Sequence, residues 1–247
     1  MVAIRADGLA KAYGSVDALV ELSFEVARGE LFGFLGPNGA GKTTTIRVLT
    51  GQIRPDSGTA TVLDTDPVAE PIETRRRVGI LPEQGTPPSF LTPREYFAFV
   101  GTVRDLPTET VRERTERWAA RLGFASKLET LHTDLSRGQQ QKVMITAAFL
   151  HEPEAVFIDE PLANLDPLVQ EQVKEFLREY AEAGNAVVVS THNIDVAEEI
   201  CTRVGIVADG RLVAERDLAE GREEPLLETF LSHVDGTTRD VPEAVVE

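Results

Sequence analysis

Three short stretches hold residues whose types and spacing could do chemistry: "GPNGAGKT" at 36–43, the adjacent carboxylates Asp159 and Glu160 that close "AVFIDE", and His192 in "VVVSTHN". The first is a full match to G-x-x-x-x-G-K-[ST], set between an apolar run and a helix-forming one. Gly36, Pro37, Asn38 and Ala40 complete a loop in which the backbone N–H groups of Gly39, Gly41, Lys42, Thr43 and Thr44 would cradle phosphates, glycine letting the chain come close. Lys42 would reach the β and γ oxygens, and Thr43 would hold Mg²⁺. Asp159 and Glu160 alone read equally well as a helix cap or a solvated edge. Beside a phosphate loop, Asp159 would complete the Mg²⁺ shell and Glu160 would act on the attacking water as base or positioning group. His192 falls just past the next strand end, on the edge of a parallel sheet where ligands bind, which places it at the γ-phosphate.

A fourth stretch, "LSRGQQQKV" at 135–143, admits two readings. Ser136 with Gln139 three residues on is a reciprocal capping box for a helix that buries Val143, Met144, Ile145, Ala147 and Phe149. A helix start rich in free N–H groups is also an anion site, able to receive a phosphate brought by another part of the protein or another copy of it.

These residues need a scaffold, and the pattern supplies one. "FEVARGELFGFLG" reads as strands around Arg28-Gly29-Glu30, followed by the loop and by a helix ending at Gly51. "TATVLDTD" and "RRVGIL" read as further short strands. Pro82, Pro87, Pro88 and Pro93 then break regular structure, and Thr92-x-x-Glu95 with Pro93 opens a helical block that runs to about Leu150. Within it Val111, Trp118, Ala119 and Leu122 share one face. The unbroken apolar runs "AVFID" and "AVVVS" suit parallel strands buried on both faces. Between them Asp166 caps a helix with Pro167 at its first position and Val169, Val173, Phe176, Leu177 and Tyr180 as its stripe. "RVGIVADGRLVAE" is a hairpin through Asp209-Gly210. The class is α/β, a mostly parallel sheet with a helical insertion. The expected division is 1–215 as the main domain, with 1–82 and 153–215 its core and 83–152 the helical subdomain. Residues 216–247 form an acidic tail with a short amphipathic helix from Pro225, carrying Leu226, Leu227, Phe230, Leu231 and Val234, and then a frayed end.

Composition narrows the partners. The 247 residues carry 25 basic and 41 acidic side chains, a net charge of −16, which argues against a nucleic-acid face. Lysine occurs only at Lys11, Lys42, Lys127, Lys142 and Lys174. So acidic, Lys-poor a surface fits a high-salt interior, and fits equally an ordinary acidic protein from a GC-rich genome. No run reaches the roughly 18 apolar residues of a membrane span, and the first residues lack a signal-peptide core, so the chain is expected in the cytoplasm. Its single cysteine, Cys201, fits a reducing compartment.

Taken together, "GPNGAGKT", "LSRGQ", "FIDEP" at 157–161, "NLD" at 164–166 and His192, in that order behind Tyr13, resemble the ATP-binding subunit of an ATP-binding cassette transporter over nearly all of residues 1 to 215. The resemblance implies a RecA-like phosphate-loop NTPase fold with an N-terminal antiparallel β region and an inserted α-helical subdomain. It implies ATP and Mg²⁺ as cofactors and Tyr13 stacked on adenine. Two copies, or this chain and a paralogue, would close head to tail, so that Ser136, Gly138 and Gln139 of one meet the nucleotide held by the other. A separate membrane-spanning permease would carry the cargo, with this chain peripheral on the inner face of the membrane. Phe90, Leu91, Tyr96, Phe97 and Phe99 could receive that permease's cytoplasmic helix or simply pack the helical subdomain.

Two positions depart from the commonest pattern. Arg137 stands where Gly is usual, and "LPEQG" puts Glu83 where a Gln is usual, with Gln84 next; either could meet the Mg²⁺ and water. "LPE" is similar to single-domain cassettes that serve exporters of drugs, sodium or polysaccharides. A soluble cassette ATPase of translation or repair is the competing class. Such proteins carry paired cassettes, coiled-coil insertions or basic faces, none of which this chain has. A non-hydrolysing regulator is disfavoured by the presence of Asp159, Glu160 and His192.

Overall fold

The computed structural model describes residues 1–83, 85–162, 164–218 and 225–234. Its centre is a six-stranded sheet built from β3 (Leu31–Leu35), β5 (Val78–Leu81), β6 (Ala155–Asp159), β7 (Ala186–Thr191), β8 (Arg203–Ala208) and β9 (Arg211–Asp217), in the order β5-β6-β7-β3-β8-β9. The first five run parallel, and β9 returns antiparallel to β8. The return is a two-residue turn in which Asp209 and Gly210 both take positive φ, 47° and 72°, the geometry an Asp-Gly hairpin turn requires.

Both faces of the sheet are buried, and side chains alternate between two cores. Leu31 and Leu35 of β3, Val156 and Ile158 of β6 and Val187 and Val189 of β7 point to one. Phe32 and Phe34, Ala155 and Phe157, and Ala186 and Val188 point to the other. This is why these strands read as unbroken apolar runs. The second core is closed by an antiparallel sheet of β1 (Val2–Tyr13), β2 (Val16–Ala27) and β4 (Ser57–Val62), order β2-β1-β4. There Phe24 packs edge-on to Phe34, ring centroids 4.7 Å apart. Helix α1 (Lys42–Leu49) follows β3 and buries Ile46, Val48 and Leu49 in the same core.

One strand expectation is corrected. In "RRVGIL" the two arginines end a helix, α2 (Pro71–Arg77), and the strand begins only at Val78. Pro71 in its first turn and Arg75, Arg76 and Arg77 in its last suit a helix, but no side-chain cap announces it. "TATVLDTD" likewise stops as a strand at Val62, because Leu63 and Asp64 turn at φ 50° and 63°.

The helical block comprises α3 (Pro93–Val103), α4 (Thr108–Arg121), two 3₁₀ turns and α5 (Arg137–Phe149). Both expected capping boxes form, Thr92 with Glu95 and Ser136 with Gln139. Gly101 is required where α3 meets α4, since a Cβ there would come within 2.3 Å of Val111 Cγ2. Trp118 joins this block to α6 (Pro167–Glu182), its ring 4.8 Å from Phe176 in a T-shaped contact. Beyond α7 (Ile194–Ile200) and the hairpin, α8 (Leu226–Val234) buries Leu226 and leaves Leu227 and Leu231 exposed. The expected frayed end and most of the acidic linker, 219–224 and 235–247, lie outside the described residues.

At the joint between the helical block and the sheet, His151 donates from Nε2 to Val78 O at 3.0 Å, and its Nδ1 is buried without a partner. Burial, with the nearby Arg104 cation, pushes its pKa down to about 4 from 6.5. The unfolded chain therefore binds a proton that the folded one does not between those values, and this stability is complete above about pH 6.5 and lost as pH falls toward 4. The shift bounds the loss at about 3 kcal/mol. Denaturant unfolding at pH 7 and pH 4.5 should show a smaller acid loss in His151→Gln than in the parent; parallel losses would show that another group dominates.

Candidate functional site

The phosphate loop is shaped by what it must avoid. A Cβ at Gly36 would meet Val207 O at 2.3 Å, and one at Gly41 would meet Ala18 O at 2.5 Å. Gly41 also takes φ 106°, open to glycine without strain. It is the N-cap of α1, so the first amides of that helix have no side-chain cap, and no acidic residue sits in the first turn to neutralise them. The loop closes over the Lys42 ammonium, which donates to Gly36 O at 2.7 Å and Pro37 O at 3.0 Å. Burial lowers the Lys42 pKa, and Glu160, Asp159 and Glu83 oppose that shift through their charge.

Across the loop, β6 and β7 run in register so that Asp159 lies beside Ser190. Asp159 is buried and accepts from Thr43 Oγ1 at 2.7 Å and from Ser190 Oγ at 2.6 Å. Glu160 takes φ 53°, unusual for a residue with a Cβ, while its N–H donates to Ser190 O at 2.9 Å. That bend directs its carboxylate to the end of β7. There Oε1 accepts from the His192 N–H at 3.0 Å and lies 2.6 Å from His192 Nδ1, and Oε2 accepts from Thr191 Oγ1 at 3.2 Å.

Lys42, Thr43, Asp159, Glu160 and His192 open on one cavity of about 420 Å³, lined also by Tyr13, Ala18, the rest of residues 38–44 and Glu83. The structure thus brings together the predicted loop, both carboxylates, the histidine, Glu83 and Tyr13, whose half-exposed ring lies 5.9 Å from Lys11 Nζ. Ser136, Gly138 and Gln139 are not among its lining and sit at the start of α5, where Ser136 Oγ accepts the Gln139 N–H at 3.3 Å. Gln84 lies outside the described residues. Of the candidate docking aromatics, Phe97 is fully buried in the core and Tyr96 packs against it, whereas Phe90 and Phe99 are exposed. A larger cavity of about 760 Å³ between β1, β2 and β9 holds charges already paired, Arg5 with Glu25 and Arg203 with Glu215.

Ser190 and Thr191 were not singled out from the sequence as functional. Their signal was present in "VVVSTHN", two hydroxyls directly before the histidine, but only strand register shows that they face the two carboxylates. The donor set fits a nucleotide and a hard divalent ion. Uncapped amides and an ammonium face the cavity from one side, and a hydroxyl and a carboxylate oxygen 2.7 Å apart offer the oxygen ligands Mg²⁺ takes.

A phosphate loop opening α1 beside a parallel sheet, with an acid at the tip of the neighbouring strand, defines the phosphate-loop nucleotide-binding class. The ABC transporter family model matches residues 19–163. The daunorubicin/doxorubicin resistance ATP-binding protein DrrA of Streptomyces peucetius is 34% identical over 218 residues, 88% of this chain and 66% of its own length. The Nod factor export ATP-binding protein I of Ralstonia nicotianae is 32% identical over 85% of this chain and 65% of its own. The chain thus spans just under two thirds of these relatives. A solved ATP-binding subunit of an ABC transporter superposes with a TM-score of 0.87 at 29% identity, covering 93% of this chain and 98% of that one. A dimeric post-hydrolysis cassette bound to ADP and Pi gives 0.81 at 25% identity over 87% and 98%. The chain belongs to the ABC transporter family.

Proposed function

We propose that the chain is an ATP-binding and ATP-hydrolysing subunit that energises transport, in the export direction, through a separate membrane-spanning partner, and that it works at the inner face of the membrane. The observation that carries the reading is the single cavity in which the loop around Lys42, the Thr43–Asp159 pair and the Glu160–His192 pair converge. The export sense rests on relatives named for drug resistance and Nod factor export. No helix among the described residues is long and apolar enough to cross a membrane.

The residues divide the work. Tyr13 offers a ring face to adenine. The amides of 39–44 and Lys42 hold the phosphates, and Thr43 and Asp159 supply oxygens to the ion. Mg²⁺, when bound, neutralises charge on the β and γ oxygens and orients them. Glu160 takes the proton of the attacking water, its position fixed by the Thr191 hydroxyl and the His192 amide. His192, half-paired with Glu160, presents its second ring nitrogen toward the γ-phosphate. Glu83, which lines the same cavity, would add a further oxygen for the ion or its water. Ser136, Gly138 and Gln139 serve the nucleotide of a second copy or a paralogue, which is why the capping box stands open at the surface. Domain 1–215 is the cassette, with 83–152 its transmitting subdomain, and the exposed Phe90 and Phe99 lie on the side offered to the permease.

The test is hydrolysis by the purified chain as a function of its concentration. Activity per chain should rise as copies pair, and Ser136→Ala should abolish that rise while single-chain ATP binding at low concentration stays intact. A rate per chain independent of concentration and of Ser136 would overturn the shared-site reading.

A further inference from the structure

The nucleotide cavity has a neighbour of about 520 Å³, between the loop after β5, the first turns of α5 and the turn before α6. Among the described residues, Glu83 alone lines both. On the nucleotide side its charge acts on Lys42. On the far side the second cavity is faced by Arg137, Gln140, Gln141 and Asn164.

Two of these side chains are uncommitted. Arg137 is exposed, makes no hydrogen bond or ion pair among the described residues, and stands at the cavity wall. Gln141 is 8% exposed as a residue, its side-chain amide makes no hydrogen bond among the described residues, and that amide opens on the cavity. Gln140, by contrast, spends its amide on His132 O and Leu135 O. Arg137 and Gln141 are four residues apart on α5, hence on one helix face. A guanidinium and an unpaired amide donor on one face match a carboxylate, and the acid on the opposite wall is Glu83.

We propose that Arg137 and Gln141 are positioning residues for Glu83, forming a receptor that holds its carboxylate on the side away from the nucleotide. The inference rests on the reading that Glu83 serves the Mg²⁺ position. Glu83 then stands between two cations. When phosphates without Mg²⁺ occupy Lys42, the Glu83 carboxylate turns from them to Arg137; with Mg²⁺ bound, Glu83 would stay on the nucleotide side.

The test is a double-mutant cycle of Arg137→Gln and Glu83→Gln in the full chain, read by ATP binding without turnover at concentrations that keep copies apart. Arg137→Gln should weaken ATP binding in EDTA about three- to tenfold, the scale of a partly screened ion pair, and leave binding in excess Mg²⁺ within about twofold. The weakening in EDTA should vanish in the Glu83→Gln background, and Arg137→Lys should restore most of the parent behaviour. Equal weakening in both backgrounds would overturn the proposal, since Arg137 would then act on the phosphates directly. Thermal unfolding of the four nucleotide-free proteins separates the two layers. Non-additive shifts alongside a Glu83→Gln variant of unaltered Mg²⁺ dependence would support the pairing and overturn the place of Glu83 at the ion. Additive shifts would overturn the pairing itself. Gln141→Leu should give a smaller weakening of ATP binding in EDTA than Arg137→Gln, lost in the Glu83→Gln background, and unchanged binding in EDTA would overturn its share in the receptor.

Discussion

Glu160→Gln should bind ATP as well as the parent chain while hydrolysing it about 10²- to 10⁴-fold more slowly, the range a positioned general base contributes. The substitution is nearly isosteric and leaves one carbonyl oxygen to accept from either the His192 amide or Thr191 Oγ1, so the left-handed bend at φ 53° and the end of β7 need not move. What disappears is the ability to take a proton. If, as proposed, ATP closes a pair of copies that hydrolysis and phosphate release reopen, the variant should accumulate as an ATP-dependent dimer on gel filtration. His192→Ala provides the contrast. It removes the ring 2.6 Å from Glu160 but keeps the backbone donor, so turnover should fall while the dimer fails to accumulate to the same extent. Undiminished hydrolysis by Glu160→Gln would refute its role as base.

The strain at Glu160 has a use consistent with that result. A non-glycine residue in the left-handed region costs of order 1 kcal/mol or more and persists only when its surroundings hold it. Here they do, through the N–H bond to Ser190 O and the two donors on the carboxylate. The bend turns a residue that would continue β6 toward solvent into one facing the cavity.

Much of the scaffold was legible because its signals are local. An unbroken apolar run marked β6 with its boundaries, Asp166-Pro167 marked the start of α6, and the two Ser/Thr-x-x-Glu/Gln boxes marked α3 and α5. Helix α2 was misread because its N-cap, Glu70, makes no side-chain cap bond and its seven residues are mostly charged. In the site, the loop, both acids and His192 were readable from motif spacing. Ser190 and Thr191 were not, because their contacts depend on which residue of β7 lies beside Asp159, and register between parallel strands 31 residues apart is set by the whole sheet. The Glu160 conformation was equally hidden, since nothing in "DEP" marks a positive φ. Arg137 and Glu83 were legible only as departures; their shared cavity is a tertiary fact.

Lys42→Ala should reduce hydrolysis about 10²- to 10³-fold or more, the cost of deleting one preorganised group that stabilises transferring charge. The geometry adds a second loss. The ammonium bridges Gly36 O and Pro37 O, so it also braces the loop in the shape that presents its amides. Alanine leaves those carbonyls without the donor and opens a polar hollow, so ATP affinity should fall together with the rate. Lys42→Arg separates charge from fit. The buried ammonium donates to two carbonyls of the loop at once, and a planar guanidinium with a fixed fork must displace the loop to take its place. Arginine should therefore restore little activity although it restores the charge. Thermal midpoints within a few degrees of the parent would show that the sheet and its two cores are intact. Under that condition an unchanged hydrolysis rate in Lys42→Ala would overturn the phosphate-loop assignment, and full rescue by arginine would show that charge alone, without the braced loop, is what the site requires.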